Sequence, residues 1–119
     1  MDATSAVAVK TQHWARPGRR VIVVTDLANL RGPVHGTVQL PLWLYWSSAD
    51  RAFDLDELHM LRWYYQIVLR EASRPEDLTC HLDRDTLIGL WPDLYLPRGV
   101  RLAWEEHHRV LRSGQAASA

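Results

Sequence analysis

Glu105-Glu106-His107-His108 is the one run in this 119-residue chain where carboxylates and imidazoles stand side by side. Glu105 and His108 fall three residues apart, which places both on one face of a helix. Di-iron carboxylate bundles use that spacing twice, with further glutamates from other helices. A single copy reads as a solvated helix face. With no CxxC pair, no HExxH and no Cys/His cluster at zinc spacing, no metal ligand is expected. Cys80 and His81 are neighbours, but adjacent side chains on a helix diverge by about 100° and do not pair, so Cys80 reads as a small core residue. No G-x-S-x-G elbow and no glycine-rich phosphate loop occurs. What remains is His35 in the Gly-flanked loop Arg31-Gly32-Pro33-Val34-His35-Gly36, with Asp26 opposite it if the flanking strands pair. The expectation is a non-enzymatic protein with no catalytic residue and no cofactor. A small enzyme built on His35 and Asp26 is the least favoured of three readings.

Residues suited to binding are more numerous. Six tryptophans stand against a single phenylalanine, at Trp14, Trp43, Trp46, Trp63, Trp91 and Trp104. A large ring with one N–H donor favours core edges and interfaces. Thirteen of the fourteen basic residues are arginine, a bias that a GC-rich genome produces and that also suits bidentate contacts to phosphate or carboxylate. Lys10, Arg16, Arg19, Arg20 and Arg31 share their span with only one acid, Asp26, and have His13 and Trp14 among them, a weak polyanion-binding pattern. Leu78, Leu82, Leu87, Leu90 and Trp91 can be laid over a helix-turn-helix with Arg84 and Thr86 near the start of its second helix. Residues 73–91 carry two basic side chains against four acidic ones, which opposes contact with a phosphate backbone.

The elements that must position these residues follow from periodicity. Residues 1–15 show none and read as a flexible arm. Val21-Ile22-Val23-Val24-Thr25 is a β-branched run too short for a helix, hence a buried strand. From Thr37 a second strand puts Val38, Leu40, Leu42, Leu44 and Trp46 on one face and Trp43 and Tyr45 on the other, with Pro41 marking an edge, a bulge or the strand's end. The two make an antiparallel hairpin. From Asp54 to Ala72 the pattern is helical, with Asp54 as N-cap and Glu57 at N3. Leu58, Leu61, Tyr65, Val68, Leu69 and Ala72 share one face; Met60, Trp63, Tyr64 and Ile67 form a second apolar strip, with His59, Arg62, Gln66 and Arg70 as a polar seam between. Ser73-Arg74-Pro75-Glu76 is a capping box, with Pro in the first turn, that opens a short helix to about Leu82; Asp83 caps another ending at Trp91, and a last one runs from Arg98 to about Leu111. The fold class is α+β: an N-terminal β-hairpin packed on a long hydrophobic helix, then three short C-terminal helices. It forms a single domain over 16–112, with a disordered tail at 113–119.

Composition agrees with one globular domain. The chain is 47% hydrophobic and 24% charged, with a formal net charge of zero, which excludes both a basic nucleic-acid coat and an acidic solvating tail. No window approaches the roughly 18 apolar residues of a membrane span, and residues 1–10 lack the pattern of a secretory signal. One cysteine cannot close an internal disulfide, which suits a reducing cytoplasm. The strings Thr25-Asp26-Leu27, Leu30-Arg31-Gly32-Pro33, Phe53-Asp54-Leu55, Leu90-Trp91-Pro92-Asp93-Leu94-Tyr95-Leu96-Pro97 and Ala103-Trp104-Glu105 lie within about Arg16 to Leu111. Over that span the chain resembles small uncharacterised actinobacterial proteins, some loosely labelled transcriptional regulators. The resemblance brings no functional residue with it.

The favoured expectation is a cytoplasmic protein-interaction module, binding a protein partner or itself as a homodimer. Its aromatic-rich surface would be made by Trp43, Tyr45, Met60, Trp63, Tyr64 and Ile67. The alternative is a small DNA-binding transcriptional regulator using Arg16, Arg19, Arg20, Arg31 and Arg84.

Overall fold

The computed structural model describes residues 7–8, 14–16, 19–45 and 52–112, with side chains from Arg20 onward. Its class is α+β: short antiparallel strand pairs beside a longest helix and a helical C-terminal half. The longest helix, α1, runs Leu58–Glu71. It starts three residues later than the capping pattern implies, because Asp54 ends a strand and the Glu57 carboxylate accepts from the Met60 N–H as the true N-cap. The later helices lie close to expectation. α2 spans Pro75–Thr79, with Asp77 rather than Glu76 turned back to accept from the Ser73 and Arg74 N–H groups. α3 spans Arg84–Leu90 behind the Asp83 cap, which accepts from the Thr86 N–H at 3.1 Å, and a 3-10 turn follows over Trp91–Asp93. α4 spans Arg98–His107, and helical turns resume over 109–112.

The strands differ from the expected hairpin. β1 (Val7–Ala8) pairs with β4 (Ile22–Val23), β2 (Trp14–Arg16) with β3 (Arg19–Arg20), and β5 (Thr37–Gln39) with β6 (Ala52–Asp54), all antiparallel. So the β-branched run pairs backwards in sequence, into the stretch read as an arm, and β5 pairs forwards with Val38 opposite Phe53. The second expected strand stops at Gln39 because Pro41 opens a turn: its carbonyl accepts from the N–H groups of Leu44 and Tyr45. That turn changes the spacing of buried residues from two to four. Leu40 and Leu44 are in the core while Leu42 between them is 59% exposed. Trp46, expected on the same strand face, and the tail 113–119 lie outside the described residues.

The core joins both halves: Val21, Val23 and Val24, Leu40, Leu44 and Phe53, five residues of α1, and Leu78, Leu82, Leu87, Trp91, Val100 and Trp104. Of the first α1 face, Tyr65, Val68, Leu69 and Ala72 are buried, whereas Leu58 is 51% exposed at the helix start. A set of backbone contacts around residues 79–83 binds the halves together. The Arg31 N–H donates to the Thr79 carbonyl at 2.9 Å and the Gly32 N–H to that of Leu82 at 2.7 Å. From the other side, the Tyr64 hydroxyl donates to the His81 carbonyl at 2.9 Å and the Tyr65 hydroxyl accepts from the Asp83 N–H at 2.8 Å. Burial pushes both phenols up, Tyr65 to about 12, so both are neutral across the physiological range and act as fixed hydrogen-bonding groups.

Gly89 has open space where a Cβ would stand and is the penultimate residue of α3. Gly89→Ala is expected to raise stability by about 0.5–1 kcal/mol, read as a higher urea midpoint with an unchanged slope.

Candidate functional site

The expected aromatic surface splits on folding. Tyr64 and Ile67 are fully buried and belong to the core, so they offer nothing to a partner. Met60 and Tyr45 are half-buried, and Trp63 keeps 42% of its surface exposed. The second strip therefore bends across the boundary between core and solvent: α1 turns about 100° per residue, and its neighbours on β6 and the Pro41 turn cover only part of that arc. What stays outside is ordered by what lies beneath. The Trp63 ring meets Tyr45 edge-on at 6.2 Å and Phe53 at 6.3 Å between centroids, and Phe53 in turn meets Tyr64 at a tilt, 5.8 Å between centroids. Edge-to-face contacts at these distances are favourable, and they hold the indole without hiding it.

Trp43 is a separate feature. It is 57% exposed, yet its indole N–H donates to the Asp77 carboxylate at 2.9 Å and the Arg74 guanidinium lies 4.9 Å above its ring. Asp77 is 1% exposed, the one buried charged residue among those described. Besides Trp43 it accepts from the Ser73 and Arg74 N–H groups and pairs with the Arg74 guanidinium at 3.2 Å. Burial raises its carboxyl, but the Trp43, Ser73 and Arg74 donors outweigh that and hold it below its ordinary value. Periodicity marks neither partner of this contact, because a carboxylate one turn into a Pro-led helix looks like any other N-terminal acid.

The groups weighed for chemistry go elsewhere. His35 Nδ1 lies 3.2 Å from Asp56, not from Asp26, and the same carboxylate accepts from the Gly36 N–H. Asp26 is occupied as the cap of the 3-10 turn Leu27–Asn29, accepting from the Ala28 N–H. The pairing of His35 with Asp26 required the hairpin, and β5 pairs with β6 instead. Glu105 accepts from the Trp91 indole N–H at 2.9 Å and pairs with Arg101 at 3.5 Å, while His108 reaches Val24. A carbonyl can only accept, so His108 Nε2 carries the hydrogen it donates at 2.7 Å. Burial and the neighbouring His107 depress its basicity against the opposing pull of the Val24 carbonyl and Asp26, leaving it below the ordinary histidine value. Cys80, expected in the core, is exposed: it is the C-cap of α2, where the chain turns outward. Among the described residues no group of three metal-ligating side chains forms.

The basic set is dispersed. Arg31 and Arg20 are exposed; Arg31 sits on the backbone bridge to Asp83. Arg84 is paired with Asp85 at 2.7 Å, and the Thr86 hydroxyl donates to Asp83. The first turn of α3 thus turns its donors on its own acids. Arg16 and Arg19 lie in β2 and β3 with side chains outside the described residues, as do Lys10 and His13 altogether. No helix among the described residues is long and apolar enough to cross a membrane. No family model, curated protein or solved structure matches the chain, so the site is read from its geometry.

Proposed function

We propose that this chain is a non-enzymatic interaction module of the cytoplasm that associates with a second copy of itself through the surface centred on Trp63, with Tyr45 and Met60 beside it. The observation that carries this reading is an indole left 42% in solvent while two rings beneath it fix its orientation. A pre-ordered aromatic side chain loses little conformational entropy on docking, which is why such residues anchor interfaces. A second copy fits because the formal net charge is zero, so no net repulsion opposes self-association. Trp43 is held to its own fold by Asp77 and contributes at the margin.

Sedimentation at tens of micromolar, with and without a random DNA duplex, tests the proposal. The expected result is a dimer indifferent to DNA, weakened roughly thirtyfold by Trp63→Ala, the cost of about 2 kcal/mol that defines an anchor residue. A monomer across that range overturns self-association. A DNA complex that dissolves as salt rises overturns the module in favour of the regulator reading.

A further inference from the structure

The loop after α3 runs along one flank of α1. Asp93 stands beside Arg62, and one turn further on the Tyr95 N–H donates to the Gln66 side chain at 2.8 Å. Leu94 is buried and Leu96 packs on the core, so the loop is pinned on both sides of Tyr95. The Tyr95 ring is nevertheless 86% exposed, the most exposed large apolar side chain among the described residues. Arg62 and Asp93 are open as well, at 40% and 61%, and meet only at 3.8 Å, too long for a hydrogen bond. Leu58, one turn before Arg62, is half exposed. At about 1.5 Å of rise per residue, Leu58 and Gln66 lie about 6 Å to either side of Arg62 along the helix.

We propose that the second copy sits with its α1 antiparallel to this one, the two-fold axis passing beside Arg62, and that Arg62 and Asp93 pair reciprocally between the copies. This rests on the self-association proposed above and gives it a register. A homodimer closes on a two-fold axis, so its patch must complement itself. This patch carries a cation and an anion side by side, each with surface left for a second contact. With the helices antiparallel, both acids fall on the same flank as both guanidiniums, so Arg62 faces the partner's Asp93 and the four charges alternate. With the helices parallel, the acids fall on opposite flanks and the two guanidiniums meet alone. The antiparallel register also keeps Trp63 next to the axis, against the partner's Trp63. It sets Gln66, with Tyr95 beside it, opposite the partner's Leu58, and so covers two apolar side chains that the fold leaves in solvent.

Arg62→Asp and Asp93→Arg are made singly and sedimented alone and mixed in equal amounts, at a concentration where the parent chain dimerises. Each variant alone sets like charges against each other twice, and its dimer should weaken about a hundredfold. The mixture should dimerise as the parent does, because the acid introduced in one variant meets the arginine introduced in the other and the two native residues meet likewise. A pair that acts only within one chain would be broken in both variants, and mixing could not mend it. Urea midpoints of both variants should stay near the parent's, since both side chains stand partly in solvent. Tyr95→Ala should weaken the dimer about tenfold and leave the midpoint of the monomer unchanged, because the fold uses only its backbone N–H. A parent dimer whose charge variants associate undiminished, whose mixture stays monomeric, or which is indifferent to Tyr95→Ala overturns this register and leaves self-association standing. A monomeric parent overturns both.

Discussion

Gly32→Ala should cost about 3 kcal/mol or more of unfolding free energy, against a total of roughly 5–15 for a domain of this kind. A Cβ at position 32 would stand 2.3 Å from the His81 carbonyl carbon, 2.5 Å from the Leu82 nitrogen and 2.6 Å from the His81 oxygen. All three are backbone atoms, so no side chain can swing aside. The peptide that must move is the one held by the Tyr64 hydroxyl, and moving it opens the Gly32–Leu82 hydrogen bond as well. Gly36→Ala is the internal control. Its φ of +81° makes a Cβ strained, but the space around it is open, so only about 1 kcal/mol is lost. Urea denaturation of the two variants separates close approach from backbone strain. Equal losses would show that the contact at residues 81–82 is not the constraint.

The second large effect is expected at Asp77. Replacing it with alanine removes the acceptor of the Ser73 and Arg74 N–H groups and of the Trp43 indole, at about 2–4 kcal/mol in sum. The pH dependence has a definite sign. The folded carboxyl titrates below its ordinary value of 3.8, so as pH falls the unfolded chain takes up the proton first. The contribution is complete above 3.8 and is lost as pH drops through the folded value. Asp77→Ala should flatten the acid limb of the stability curve, and its near-ultraviolet signal should shift as Trp43 loses its partner. An unchanged acid limb would remove Asp77 from this role.

The helices were legible before the fold because their signals are local. Asp83 as a cap, Pro75 at a helix start and the stop at Pro92 each act within one turn. The strands were not, because pairing depends on partners that periodicity cannot see. Val21–Val24 reads the same whether its partner is residue 38 or residue 7. Leu40, Leu42 and Leu44 look like strand alternation until the Pro41 turn rotates Leu42 outward. The candidate surface fared likewise. Trp63 and Tyr64 are adjacent and equally apolar, yet one faces solvent and the other the His81 carbonyl, a difference of 100° of helix rotation. The Asp77–Trp43 contact spans 34 residues and leaves no mark at either end.

His108 donates to the carbonyl of Val24 across 84 residues, and α4 packs on β2 and β4. During synthesis this means that the valines of the first strands emerge long before the helix that covers them. Until Trp104 and His108 have left the ribosome, some eighty residues of chain carry an unfinished apolar surface, because the residues that cover it lie in and just after α4. Truncation before Arg98 would therefore strand the nascent protein in a sticky, incomplete form, and its yield in the cell would depend on how quickly chaperones reach it.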